Sequence, residues 1–183
     1  MTDHHTLKMN RELKRVNDKA MICQILDRAQ VACLALHDEP YPYVVPMNYG
    51  YTWDDRLVLY MHMATEGHRL RLLEKDPRVA VNVSLFLDRI GCRQYKGQDQ
   101  DYRSVNIFGT ARVITAESDP EEFLHGFDVL ARKNDRPPVT EISPYMRDHA
   151  LLLRIDADAV TAKAQYPLHA LEDVPMPPNV PRE

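Results

Sequence analysis

Apolar positions recur at helical spacing in one early segment and at strand spacing through most of the remaining chain. Met21, Ile22, Ile25, Leu26 and Ala29 share one face of a helix predicted over residues 18–29, with Asn17 placed to cap it. Residues 31–36, VACLAL, read as a short buried strand. The turn HDEP leads into a second strand over 41–51, and WDD leads into a third over 56–61. Runs joined by such tight turns make an antiparallel meander, not a βαβ unit. A helix over 65–75 comes next and is stopped by Asp76-Pro77. Further strands are predicted over 78–87, 102–115 and 151–164, with a helix over 120–133 before the last. Gly109 inside the fifth strand marks a bulge or bend of the kind that closes barrels. Ser118-Asp119-Pro120 is a helix start, and Arg136-Pro137-Pro138 is a helix stop. Six strands in mostly consecutive pairs, with helices at the crossings, predict a small closed antiparallel barrel, mainly β with α.

The ends fall outside that pattern. Residues 1–16 are polar and basic and read as an arm. Residues 88–101 read as an exposed loop, and the proline-rich tail from Pro167 reads as extended chain. The stretch between the arm and the tail, residues 17–166, is expected to be one domain, with no internal repeat.

Composition narrows the function classes. The 183 residues are 44% hydrophobic and 27% charged, as in ordinary globular proteins. A formal net charge of −4 argues against general affinity for nucleic acid or anionic membranes. No apolar run approaches the roughly 20 residues that cross a bilayer, and the N-terminus lacks the apolar centre of a signal peptide, so a cytoplasmic protein is expected. Cys23, Cys33 and Cys92 show no CxxC spacing and read as reduced thiols, two of them buried in apolar segments. With no HExxH among eight histidines, a metal site is not expected. Neither GxGxxG nor GxxxxGK[ST] occurs, so any phosphate must be held by another device.

That device is suggested by residues 60–75, YMHMATEGHRLRLLEK. A strand end passes through a short loop into a helix, and the loop carries Thr65, Gly67, His68 and Arg69. A helix start offers unpaired backbone N–H groups and the positive end of the dipole to an anion. Thr65 is a fair N-cap and Gly67 allows close backbone approach. A capped surface helix with solvated basic residues would look the same on this stretch alone. Met47, Met61, Met63 and the cluster of Leu70, Leu72 and Leu73 read as packing residues, and Trp53 as a surface-packed ring.

In order along the chain, PYVVPMNYGY, RLVLYMHMATEGHRLRLLEKDPRVAV and YRSVNIFGTARVI resemble the FMN-binding split-barrel family, which includes pyridoxamine 5′-phosphate oxidase. The blocks PMNYGY and MHMATEGHR look most like its nitroimidazole-resistance branch. The resemblance implies a six-stranded antiparallel split β-barrel with flanking helices, and a homodimer with FMN in clefts at the subunit interface. It implies that Val45, Pro46, Met47, Asn48 and Tyr49 run along the isoalloxazine ring, partly through backbone groups. His62 would sit beside the cofactor, tune the ring and supply a proton. Thr65, Gly67, His68 and Arg69 would hold the FMN phosphate, and Ser104 would give the flavin a polar contact.

The chain departs from the oxidase itself. Tyr43 and Asn48 stand where the oxidase's second strand carries a phosphate-binding Arg and Lys, and one of its paired basic residues at the helix start is His68 here. No basic substrate-phosphate site is found near the C-terminus. The resemblance therefore implies an FMN-dependent reductase acting on a small, flat, electron-poor acceptor, rather than pyridoxamine phosphate oxidation. Two other readings stay open: a non-catalytic flavin- or haem-binding barrel, with His62, His68 or the His4-His5 arm as axial ligand, and a deazaflavin-dependent reductase.

Overall fold

A computed structural model describes residues 14–87 and 101–165. The bulk of the N-terminal arm, the loop after residue 87, Cys92 and the proline-rich tail lie outside the described residues. The elements run β1 (Arg15–Val16), α1 (Lys19–Arg28), β2 (Val31–Leu36), β3 (Tyr43–Asn48), β4 (Gly50–Trp53) and β5 (Leu57–Met63). They continue with α2 (His68–Lys75), β6 (Arg78–Leu87), β7 (Asp101–Ile114), α3 (Pro120–Lys133), α4 (Pro144–His149) and β8 (Leu151–Ala164).

The strand pairs are antiparallel, in the order β3-β2-β6-β7-β8-β5-β4. β3 and β4, at opposite ends of that order, are consecutive in the chain and separated by Tyr49 alone. A sheet whose two edges are tied by one residue must curl, and it does so into a split barrel with flanking helices. This is why the single strand expected over 41–51 is two strands: the chain leaves one edge at Asn48 and joins the other at Gly50. The expected meander holds for β2–β3 and β4–β5, but β3 and β5 share no ladder. The count rises from six to eight because β1 also forms, pairing Arg15 and Val16 with Lys163 and Ala162 beyond the point where β5 leaves β8.

The irregularity expected at Gly109 is a bulge on the facing strand, where Asp158 is the extra residue between Ala157 and Ala159. The β7–β8 register shifts between Phe108 and Gly109, and a Cβ there would lie 2.3 Å from the Asp156 carbonyl oxygen. Helix starts follow local chemistry with a one-residue correction at the first. Asp18, not Asn17, caps α1, accepting from the Ala20 N–H at 2.8 Å. Asp119 caps α3 as expected, accepting from the Glu122 N–H at 3.2 Å. α4 has no counterpart among the expected elements; Ser143 caps its six residues.

Two apolar clusters divide the molecule. Inside the barrel, Leu34, Leu59, Met61, Val83, Val105, Ile107 and Ile155 pack with Ile22, Ile25 and Leu26 of α1. Outside it, Phe123 and Leu130 of α3 pack on Val58, Tyr60, Ile114 and Leu152. Glu122 secures that helix, accepting from the Tyr60 hydroxyl at 2.9 Å and from Arg154 Nη1 at 2.6 Å. Burial and the Glu122 carboxylate push the Tyr60 hydroxyl up to about 12, so it remains a donor. The thiols differ from expectation: Cys33 is exposed on the outer side of β2 and Cys23 is half-buried, both free. Alternation explains it, since Ala32, Leu34 and Leu36 take the inward positions. Among the described residues, no helix is long and apolar enough to cross a membrane and no cluster fit for a metal ion occurs.

Candidate functional site

β5 shows how the site arises. Leu57, Leu59, Met61 and Met63 point inward and are buried, while Val58 and Tyr60 point outward under α3. His62 is the next outward residue, and it emerges just past the end of α3 into a pocket of ≈ 200 Å³. Phe127, Leu130, Ala131 and Val139 form the apolar side of that pocket. Asn48, His62, Asn134 and Arg136 supply its polar groups. Asn48 Nδ2 donates to Asn134 Oδ1 at 3.0 Å, tying the end of β3 to the end of α3. Asn134 in turn donates to the Leu130 carbonyl at 2.8 Å. Crowding by protein first, then the Arg136 and Arg69 cations, hold the His62 pKa below its ordinary 6.5. The imidazole is therefore neutral near pH 7.

The loop after β5 leads to the second part of the site. α2 begins at His68, with Gly67 as its N-cap at φ 132° and no side-chain cap. Thr65, the expected cap, is exposed two residues upstream, because the glycine conformation sets the helix start later. A Cβ on Gly67 would meet nothing within 4 Å, so the space before the helix is open. Arg69, one residue into α2, lies half-buried with Nη1 2.9 Å from the Met47 sulfur. Its Nε is buried and has no hydrogen-bond partner among the described residues. A thioether is a weak acceptor, so among the described residues the buried part of this guanidinium meets no anion.

His68 is committed elsewhere. Its Nε2 lies 2.7 Å from Asp38 Oδ2, and its ring meets Tyr43 edge-on at 5.5 Å. The His68 bond holds the Asp38 carboxyl below the usual carboxylate range. This contact ties the β2–β3 turn to α2, a pairing that no local sequence motif signals.

The β3 residues divide by strand parity. Met47 is buried and Val45 half-buried against the core, whereas Pro46 and Asn48 face outward and are exposed. Any role of Val45 or Met47 toward a ligand outside the barrel is thus a backbone role. Tyr49 is buried, and its hydroxyl donates to the Leu26 carbonyl at 2.7 Å with that of Ala29 at 3.1 Å. It pins the barrel seam to α1 rather than lining the pocket. Ser104 is half-buried on the outer side of β7, opposite Ser84 and Lys163, and takes no part in the pocket.

The structure thus gathers Met47, Asn48, His62 and Arg69 and leaves Thr65 and Gly67 at the open loop. Phe127, Asn134, Arg136 and Val139 join the site without having been expected there. The only signal near them in the sequence is the Arg136-Pro137-Pro138 helix stop, just after Asp135 turns the chain at φ 53°.

Comparison with known proteins accords with this geometry. A family model described as pyridoxamine 5′-phosphate oxidase matches residues 18–164. No curated protein matches the chain. Among solved structures, a candidate 5-nitroimidazole antibiotic resistance protein from Bacteroides thetaiotaomicron is similar at 26% identity and a TM-score of 0.68, covering 82% of this chain and 86% of that one. The flavocytochrome Anf3 from Azotobacter vinelandii is similar at 18% identity and a TM-score of 0.67, covering 99% and 88%. An FAD- and haem-binding protein from Mycobacterium smegmatis is similar at 21% identity and a TM-score of 0.59, covering 82% and 73%.

Proposed function

The chain belongs to the pyridoxamine 5′-phosphate oxidase family, and on that footing we propose that it is an FMN-dependent reductase of small, flat, electron-poor acceptors. The observation that carries the proposal is Arg69: a buried guanidinium nitrogen without a partner among the described residues, beside an open helix start with no side-chain cap. A dianionic phosphate satisfies both at once. Arg69, the α2 amides and the Thr65–Gly67 loop would hold the phosphate, and Asn48, His62 and the β3 backbone would flank the ring.

Bound there, the flavin would supply the redox chemistry. The chain's own residues bind, orient and exclude. Met47 supports Arg69 from the core side. The Asn48–Asn134 bond fixes the pocket's far edge. His62, neutral near pH 7, offers a ring nitrogen that accepts or returns a proton at the pocket. His68 is held by Asp38 and serves as a loop tie rather than a phosphate donor.

The active species in this proposal is a homodimer. Val31, Val44 and Phe86 leave the outer face of β2, β3 and β6 apolar and exposed, as a face awaiting a partner is. Ser104 lies outside the pocket of its own chain, so a contact to flavin from Ser104 requires a second copy. A haem reading has one supporting observation, the solvent-reached His62 imidazole with its depressed pKa.

The test is the absorbance spectrum of the purified protein, followed by titration with FMN. Flavin bands, and FMN affinity that drops ~10- to 100-fold in Arg69→Ala with the fold intact, are expected. A protein that neither carries nor binds FMN overturns the reading, and a Soret band replaces it with haem.

A further inference from the structure

The pocket beside His62 has a charge pattern that the reductase reading does not use. None of its lining residues is acidic, and Arg136 is the one formal charge among them. The Arg136 side chain has no ion pair or hydrogen bond among the described residues, while the neighbouring Arg132 is paired with Asp128 at 2.6 Å. The backbone around Arg136 is nonetheless fixed: its N–H donates to the Ala131 carbonyl at 2.9 Å, closing α3 where Asp135 takes a left-handed conformation. Pro137 and Pro138 come directly after it. A fixed turn therefore presents a cation, unpaired among the described residues, at the edge of an apolar cup.

Size limits what can enter. A dry cavity of about 150 Å³ takes benzene. The ≈ 200 Å³ here takes one ring with one substituent, set against Phe127, Leu130 and Val139. A guanidinium matches a carboxylate with two parallel hydrogen bonds, a geometry that a lysine or an amide does not reproduce.

We infer that Arg136 makes this pocket selective for a one-ring aromatic carboxylate, the ring on the apolar side formed by α3 and Val139 and the carboxylate on the guanidinium. The inference concerns binding alone: a single ring bearing only a carboxylate offers no group that a flavin reduces, so the acid is a ligand of this pocket and not the electron acceptor of the proposed reductase. Arg69 and Arg136 would divide the anions between them: one is half-buried beside the α2 start for the cofactor phosphate, the other stands at the α3 end for the acid. The pair of asparagines, Asn48 and Asn134, holds the two sides of the pocket at a fixed spacing.

Ligand-observed NMR with benzoate and its neutral isostere benzamide tests the inference on the full chain, as purified and after FMN addition. Benzoate is expected to bind ~10-fold more tightly than benzamide. That preference should vanish in Arg136→Gln and persist in Arg132→Gln, a control for overall charge. Arg136 is exposed, so its loss should leave the fold intact, which circular dichroism checks. Equal affinity for the two ligands, binding of neither, or a preference that survives Arg136→Gln overturns the inference. Failure to bind FMN with the benzoate preference intact would instead remove the reductase reading and leave the acid pocket standing.

Discussion

The outer surface of the barrel has two halves built from the same kind of strand, and they end differently. Over β5 and β8 it is covered: α3 lays Phe123 and Leu130 on Val58, Tyr60 and Leu152, and the Tyr60–Glu122–Arg154 bonds fasten it. Over β2, β3 and β6 no element of the described chain covers it, and Val44 and Phe86 are 58% and 68% exposed. Apolar outward positions occur in both halves, so pattern alone does not distinguish them. What differs is whether the chain supplies its own cover. The pocket opens where that cover stops, at the end of α3, with Asn48 from one half and His62 from the other. In the proposed reading the chemistry sits at the seam between a self-covered face and a bare one, which a second copy would cover.

The comparison breaks most visibly at the bare half. Val44→Glu combined with Phe86→Glu puts two charges on the face proposed to meet a second copy. Association should weaken ~100-fold or more, because buried unpaired charges are among the costliest interface changes. Sedimentation velocity at micromolar concentration should show a dimer for the parent and a monomer for the variant. Circular dichroism should be unchanged, since both side chains are exposed in the single chain. A parent that sediments as a monomer would refute the homodimer.

The covered half breaks at Gly50. A Cβ there would lie 2.8 Å from the Val129 carbonyl oxygen and 2.9 Å from the Leu130 nitrogen, both backbone atoms of α3. Neither can rotate away, so the helix itself must move. Gly50→Val should cost about 3 kcal/mol in denaturant unfolding, at the upper end of ordinary overpacking. A loss under ~0.5 kcal/mol would mean that α3 has a looser seat than its contacts imply.

The same contrast explains how much of the molecule is legible in the sequence. Strand alternation is local, so the runs around Leu34, Val81, Ile107 and Leu153 are readable, as are the irregularity at Gly109 and the Asp119 cap. Tyr49 gives no sign of being the point where one run changes sheet edge, because curling is a property of the whole sheet. In the site, His62 and Arg69 can be found because they belong to one continuous block with Gly67. Arg136 and Asn134 escape notice because they reach the pocket only through the docking of α3, about seventy residues further along the chain. Asp38 is hidden as the partner of His68 for the same reason: nothing local joins a β-turn to a helix thirty residues later.

The smallest effect is the sharpest probe of the seam. His62 is a base whose folded pKa is lowered, first by surrounding protein and then by Arg136 and Arg69. Between that lowered value and the ordinary 6.5, the unfolded chain binds more protons at this residue than the folded one. Its contribution to stability is therefore full above about 6.5, declines as pH falls through that window, and levels off below the folded pKa. Replacing it with glutamine should remove this part of the pH dependence and leave that of the other histidines. Titration of the His62 ring by NMR should place its midpoint below 6.5 in the parent. Arg136→Gln should raise that midpoint without restoring it fully, because crowding by protein is the larger cause and remains. A midpoint unmoved by Arg136→Gln would separate the two residues and dissolve the shared pocket; an upward shift joins the end of α3 to the end of β5.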